Sequence, residues 1–339
     1  MSEHGERERI GRMALKVALA GDTMLGRGVA EELRHSPTPQ TLFAAEVREA
    51  LAEADLVVLN LECCVSDRGR RWPDPYKPFF FRAPPPAARV LAELGVDCVT
   101  LANNHALDYG FDALADTRVL LEGAGIRTVG AGQDVLAARQ FAVLETGGVR
   151  LAVVAATDHP EDYAADEQRP GVAWADLRAG VPDWLRALVV RAAREADIVL
   201  VTAHWGPNMT SRPPRHVLAA APQLLAAGAT LVAGHSAHVF HGVGDRIIYD
   251  MGDFVDDYAV HPALRNDLGL LFLVTFDGPE PARLAPVRLD ALPLFLDNCH
   301  TRLARGDEWE WIRDRFTTAC AELGTHVGRR AGRLTVDWR

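Results

Sequence analysis

An α/β layered sandwich is the fold class that this sequence predicts, and three observations carry it. Short apolar runs rich in Val, Leu, Ile and Ala alternate with segments of helical spacing. At least five of those runs end abruptly in residues able to bind a ligand. No internal repeat, low-complexity tract or clear linker divides the 339 residues. Strand ends on one edge of an open α/β sheet are where such folds collect their sites. Asp22, Glu62, Asn104, His204 and His235, far apart in the chain, are therefore expected to converge.

Taken in order, Lys16 to Ala20 (KVALA) reads as the first strand and runs into GDTMLGR. Thr41 to Ala54 has helical spacing, and LVVL at 56–59 is a second buried strand ending in Asn60-Leu61-Glu62. Ser66 to Pro86, rich in Pro, Arg and aromatics, is long for a connection and suggests a lid or binding loop, with a short strand at Phe79 to Arg82. A helix opens at Pro85, since proline is tolerated in a first turn. VDCVTL at 96–101 is a buried strand, and Phe111 to Ala124 is an amphipathic helix closed by glycines. Strands at 149–155 and 198–203 deliver Thr157-Asp158-His159 and His204-Trp205-Gly206; Leu231 to Ala233 delivers Gly234-His235-Ser236-Ala237-His238. Helices are expected over 183–196 and 214–227. Residues 270–276 and 283–289 read as an antiparallel pair, and Asp307 with Glu310 as a capping box for a last helix to Leu323.

The stretch LANNHALDYG at 101–110 concentrates the chemistry. Two carboxamides and an imidazole at the end of a buried strand are costly unless something binds them. An Asn carbonyl can face a metal, His105 can move a proton, and Asp108, three residues on, can orient it. A polar turn whose side chains satisfy their own backbone is the competing reading. Two histidines, two carboxylates and a carboxamide suit Mn, Fe or Zn, or Ca or Mg where oxygen dominates. His4, His35, His216, His261, His300 and His326 read as bystanders, while His159 and His241 lie near possible site edges.

Composition sets limits. A net charge of −10 argues against a nucleic-acid surface other than a local one. No apolar run reaches membrane-spanning length, and the charged segment MSEHGERERIGRMA is expected to be a tail rather than a signal peptide. Five cysteines without a CxxC suggest neither a disulfide framework nor a zinc ribbon, so the cytoplasm is the expected location. The expected organisation is a tail over 1–14, one catalytic domain over 15–323 and a C-terminal tail over 324–339.

Seven motifs in order, GDTMLGR, NLE, FRAPP, LANNHALDYG, HWG, GHSAH and YDMGDF, resemble the CapA family of capsule or poly-γ-glutamate synthesis accessory proteins. That resemblance implies a calcineurin-like, metallophosphatase-type α/β/β/α sandwich. It assigns Asp22, Glu62, Asn104, His204 and His235 to metal binding, with His105, Asp108, His238 and Asp253 as acid–base groups. The sequence also departs from the metallophosphatase pattern. Met24 stands where a ligand His is usual, and Asn60-Leu61-Glu62 stands where a bridging Asp is usual. One divalent ion (Ca, Mn, Mg or Zn), and no organic cofactor, is therefore expected in place of a tight pair. Asn208 and Asp253 depart from the CapA pattern, replacing an acid and an Asn.

Some soluble CapA-like enzymes epimerise the C-terminal residue of a ribosomal lasso precursor, and the resemblance makes a metal-dependent peptide epimerase the first expectation. One face of Cα would be served by His105 with Asp108, the other by His238 with Asp253 or Asp22. Arg82, beside three phenylalanines, would hold a terminal carboxylate, and Trp205 would wall the site or pack beneath it. A phosphoesterase, in which Arg27 would contact a phosphate, and a non-hydrolytic accessory of poly-γ-glutamate assembly are the alternatives, because a fold alone does not fix a function.

Overall fold

The computed structural model describes residues 13–338. The strands of its two large sheets are β1 (Met13–Thr23), β2 (Leu56–Leu61), β3 (Cys98–Thr100), β4 (Arg127–Val129), β5 (Ala142–Thr146), β6 (Val149–Thr157), β7 (Ile198–His204), β8 (Leu231–His235), β9 (Val243–Gly244), β10 (Ile247–Ile248), β11 (Asp253–Val255), β12 (Leu268–Gly278), β13 (Ala285–Asp297), β14 (His300–Leu303), β15 (Gly328–Arg330) and β16 (Arg333–Asp337). The larger sheet runs β15-β16-β13-β12-β1-β2-β3-β4, with β11 beside β1 and β14 beside β13. The second sheet runs β9-β10-β8-β7-β6-β5.

Alternation along β1 explains the layering. Leu15, Val17 and Leu19 point to one face and pack with Leu151, Val153 and Leu200 of the second sheet. Ala18 and Ala20 point to the other face, under helices α1 (Arg27–His35), α2 (Pro39–Leu42), α3 (Ala45–Leu51), α4 (Pro86–Glu93) and α5 (Gly110–Gly123). Beyond the second sheet, Val154, Val199 and Val201 pack on α6 (Asp183–Glu195) and α7 (Arg215–Ala226). The result is a helix, sheet, sheet, helix sandwich, as expected. Among the described residues no helix is long and apolar enough to cross a membrane.

Several local expectations are corrected. The helix expected over 41–54 is broken between α2 and α3 because Phe43 is extended, stacks on Phe254 at 4.7 Å and bridges to Thr301. At 79–82 only Arg82 joins a strand, Arg82–Ala83, which pairs with Cys64–Val65. The capping box is absent. Helix α8 (Asp307–Ala321) starts after Gly306 at φ 53°, a left-handed position, and it is Glu308 that accepts a bond from Arg305 N at 2.9 Å. The expected tail over 324–339 contains β15 and β16; β16 pairs with β13 and buries Leu334 and Val336. Of the expected tail over 1–14, residues 1–12 lie outside the described residues, and Met13 and Ala14 already belong to β1.

Candidate functional site

Strand register assembles the site. Asp22 lies opposite Asn60 on β2 and opposite Asp253 on β11, both parallel to β1. In the second sheet His204 of β7 lies opposite His235 of β8. Both sheets therefore present polar tips at the same edge. β11 can approach because Gly21 has no side chain: a Cβ there would fall 1.9 Å from Gly252 O.

The tips form one buried network. Asp22 Oδ1 accepts from Asn60 Nδ2 at 2.8 Å and lies 3.0 Å from His235 Nδ1; Asp22 Oδ2 accepts from Ser236 N at 3.2 Å. Asn60 Nδ2 lies 3.5 Å from His204 Nδ1, and Asn60 Oδ1 accepts from Thr100 and Asn103. His238 Nδ1 lies 2.8 Å from Asp253 Oδ1, 3.5 Å from Asp22 Oδ2 and 3.8 Å from Glu62 Oε2. Burial raises the Asp22 carboxyl, but His235, His204 and His238 outweigh it and hold the group below its ordinary value. Burial, with Asp22 nearby, pushes Glu62 well above its ordinary value. Burial lowers His238, but Asp253, Glu62 and Asp22 hold it well above the ordinary imidazole value. His204 goes well below it, chiefly through burial.

A second imidazole–carboxylate pair stands beside the first. His105 Nδ1 lies 2.6 Å from Asp108 Oδ2. That oxygen also accepts from Phe81 N at 2.6 Å, and the other oxygen meets Lys77 Nζ at 3.0 Å and Tyr163 Oη at 3.2 Å. Burial takes His105 below its ordinary value despite Asp108. A cavity of about 460 Å³ opens over both pairs, lined by His105, His238, Asn104, Phe81, Tyr258 and Arg27 among others. Phe81 stacks on His105 at 4.1 Å and Tyr258 stands edge-on to His238 at 5.3 Å, so each imidazole has an aromatic wall.

The residues present fit one cation. Ligand atoms of Asp22, Glu62, His238 and Asp253 lie within 4.8 Å of one another. Glu62 Oε1 and Asp253 Oδ2 are buried without a hydrogen-bond partner, and so is Asn104 Oδ1 at the cavity wall. Buried carboxylate oxygens in that condition call for a counter-charge.

The expected residues divide accordingly. Asp22 and Glu62 stand in the cation-competent group, joined by His238, which either shares a metal with His235 or moves protons in the sequence reading, and by Asp253, read there as an acid–base group. His235 uses Nδ1 on Asp22, and His204 Nε2 is 3.9 Å from Glu62 Oε1, so both surround the group. Arg27 lines the cavity and pairs with Asp257 at 3.2 Å. Arg82 does not line it; its guanidinium lies 4.1 Å from the Tyr109 ring centroid. Trp205 is buried in the core under the second sheet and donates to Tyr249 O at 3.0 Å. It packs beneath the site and makes no wall. Sequence reasoning missed Lys77 and Tyr258. It also set aside His216, whose Nε2 lies 3.0 Å from Asp158 Oδ2, the oxygen that Gly206 N donates to. The alternation of aromatics with Lys77 in the 66–86 loop was the available signal for the first.

The chain is similar to known proteins along most of its length. Residues 16–258 match the family described as bacterial capsule synthesis protein PGA_cap. A probable polyglutamine synthesis accessory protein of Mycobacterium tuberculosis is 34% identical, with 94% of each chain covered. The PGA biosynthesis protein CapA of Bacillus subtilis is 28% identical, over 82% of this chain and 75% of its own. The crystal structure of a novel phosphatase from Mycoplasma pneumoniae matches with a TM-score of 0.50 at 14% identity, over 84% of this chain and 95% of its own, a likeness of fold. With its calcineurin-like sandwich, the chain belongs to the bacterial capsule synthesis protein family PGA_cap.

Proposed function

We propose that the protein serves the synthesis of a polyglutamyl, capsule-type polymer as a metal-assisted acid–base enzyme that inverts Cα of a glutamyl or peptide chain end. One observation carries this reading: two imidazole–carboxylate pairs, His105 with Asp108 and His238 with Asp253, meet at one cavity that both rings line. Two such pairs at one cavity can serve as base and acid. His105, kept neutral by burial and oriented by Asp108, removes the Cα proton through Nε2. His238, its Nδ1 held by Asp253, delivers a proton from Nε2. Both rings have Nδ1 engaged by a carboxylate, which leaves Nε2 for the cavity. Asp22, Glu62 and Asp253 would hold the cation, with His238 at their edge. A divalent ion there supplies positive charge that stabilises an enolate-like carboxyl group. Arg27 pairs with Asp257 through Nε and lines the cavity, where its guanidinium suits a substrate carboxylate.

The names of the relatives favour a polyglutamyl chain over a ribosomal precursor as the substrate. Phosphoester hydrolysis is disfavoured because Asn60, in place of a second bridging carboxylate, donates to Asp22. The test is incubation of a glutamate oligomer with enzyme and Mn²⁺ in heavy water. Deuterium at Cα with inversion, lost in His105→Ala and His238→Ala, is the expected result. Phosphate release from an aryl phosphate without deuterium uptake would replace this reading with hydrolysis.

A further inference from the structure

We propose that the 66–82 loop carries a second binding subsite, outside the cavity, that holds an extended polyglutamyl chain by its free, pendant carboxylates. The loop has five cations (Arg68, Arg70, Arg71, Lys77 and Arg82) against two carboxylates (Asp67 and Asp74), in a protein of net charge −10. It is a fixed feature. Arg68 pairs with Asp116, Trp72 N donates to Asp108 O at 2.9 Å, and Trp72 Nε1 donates to Asp162 at 2.8 Å. Gly69, at φ 89°, lets the backbone close on Tyr109, where a Cβ would meet Tyr109 O at 2.1 Å.

On this pinned loop Arg70 and Arg71 are exposed, and neither is paired with a carboxylate among the described residues. They line a second cavity of about 660 Å³, together with Trp72, Tyr109, Phe111 and a single carboxylate, Asp112. One ring lies between the two sets of lining residues: the Arg71 guanidinium lies 5.1 Å from the Phe80 centroid, and Lys77 Nζ, which lines the first cavity, lies 5.8 Å from the same centroid. Arg27, at the first cavity, lies 5.8 Å from the Phe79 centroid, so cations sit against aromatic rings at both cavities. Guanidinium groups bind carboxylates in a fork, and flat rings give an extended chain an apolar bed. The identification of the chain as polyglutamyl rests on the function proposed above. The subsite itself rests on the unpaired arginines.

The experiment measures fluorescence anisotropy of labelled poly-γ-glutamate on the full chain. One probe has about twenty residues, extending well over ~60 Å, and the other has about four. Wild type is expected to bind the long probe more tightly than the short one. Arg70→Gln/Arg71→Gln is expected to lose that advantage, with about a tenfold weaker long-probe Kd and a smaller salt dependence. Arg194→Gln, exposed on α6, is the control and keeps the advantage. Equal affinity in wild type and the double variant would overturn the proposal. So would arginine-dependent binding of double-stranded DNA or anionic phosphatidylserine vesicles without binding of polyglutamate. Arginine-dependent polyglutamate binding with no deuterium uptake at Cα would leave the subsite standing and overturn the epimerase reading alone.

Discussion

Asn60 Nδ2 donates to Asp22 Oδ1 at 2.8 Å, so the position between the two sheets that would carry a shared carboxylate holds a hydrogen-bond donor. The two residues lie opposite each other in the β1–β2 register. Asn60→Asp puts two carboxylates in contact and removes that donor. Without metal, the variant is expected to lose about 2 kcal/mol of stability. With Mn²⁺ it is expected to recover, and elemental analysis should find more than one ion per chain. An unchanged melting temperature and a stoichiometry of one would contradict this account of Asn60.

Cation binding should be visible as stability. A ligand that binds only the folded chain, at about a hundred times its Kd, adds ~2.7 kcal/mol. Thermal melts with and without Mn²⁺ or Ca²⁺ should show a clear upward shift in wild type. Glu62→Gln is expected to abolish that shift, because it removes the charge from a buried carboxylate with an unpartnered oxygen. A shift retained in Glu62→Gln would place the cation elsewhere.

Asp108 ties four groups together: His105, Lys77, Tyr163 and the backbone of Phe81. Asp108→Asn leaves Lys77, only 11% exposed, beside a neutral amide. The expected cost is about 3 kcal/mol, read by urea unfolding. Isotope exchange at Cα should fall by about a hundredfold or more, since His105 loses the group that orients it. Equal stability and activity in this variant would show that the pair has no role.

His241 should make the fold sensitive to acid. Its ring is buried, Nε2 lies 2.9 Å from Thr210 O, and Nδ1 has no partner. Burial pushes its pKa from 6.5 down to about 4. A depressed folded value means that the unfolded chain binds the proton first as pH falls. The contribution is therefore complete above pH 6.5 and is lost progressively toward pH 4. The loss amounts to about 3 kcal/mol. Denaturant unfolding of His241→Gln against wild type should show the difference between them shifting by that amount in favour of the variant on going from pH 7 to pH 4. Parallel curves would show that His241 does not titrate in this window.

Much of the layout was legible before any coordinates. Asp22, Asn60, Asn104, His204 and His235 stand at the ends of apolar runs, and a strand buried on both faces writes itself as such a run. The C-terminal hairpin was missed although Leu334 and Val336 alternate with polar neighbours, because two buried residues are a weak period-two signal. Phe43 interrupts a helix of good spacing, because its contacts with Phe254 and Thr301 come from segments far along the chain, which no local spacing reveals.

The residue types at the strand ends, the α/β alternation and the missing ligand positions at Met24 and Asn60 were determined by the sequence alone, because local pattern and chemical identity need no partner. Which atoms face one another was decided only by the tertiary structure. Asp253 reaches Asp22 through strand register, Lys77 reaches Asp108 from a distant loop, and Asn60 takes the oxygen that a metal would otherwise share. Those contacts join segments far apart in the chain, and their direction depends on side-chain packing within the folded chain, which no local spacing encodes.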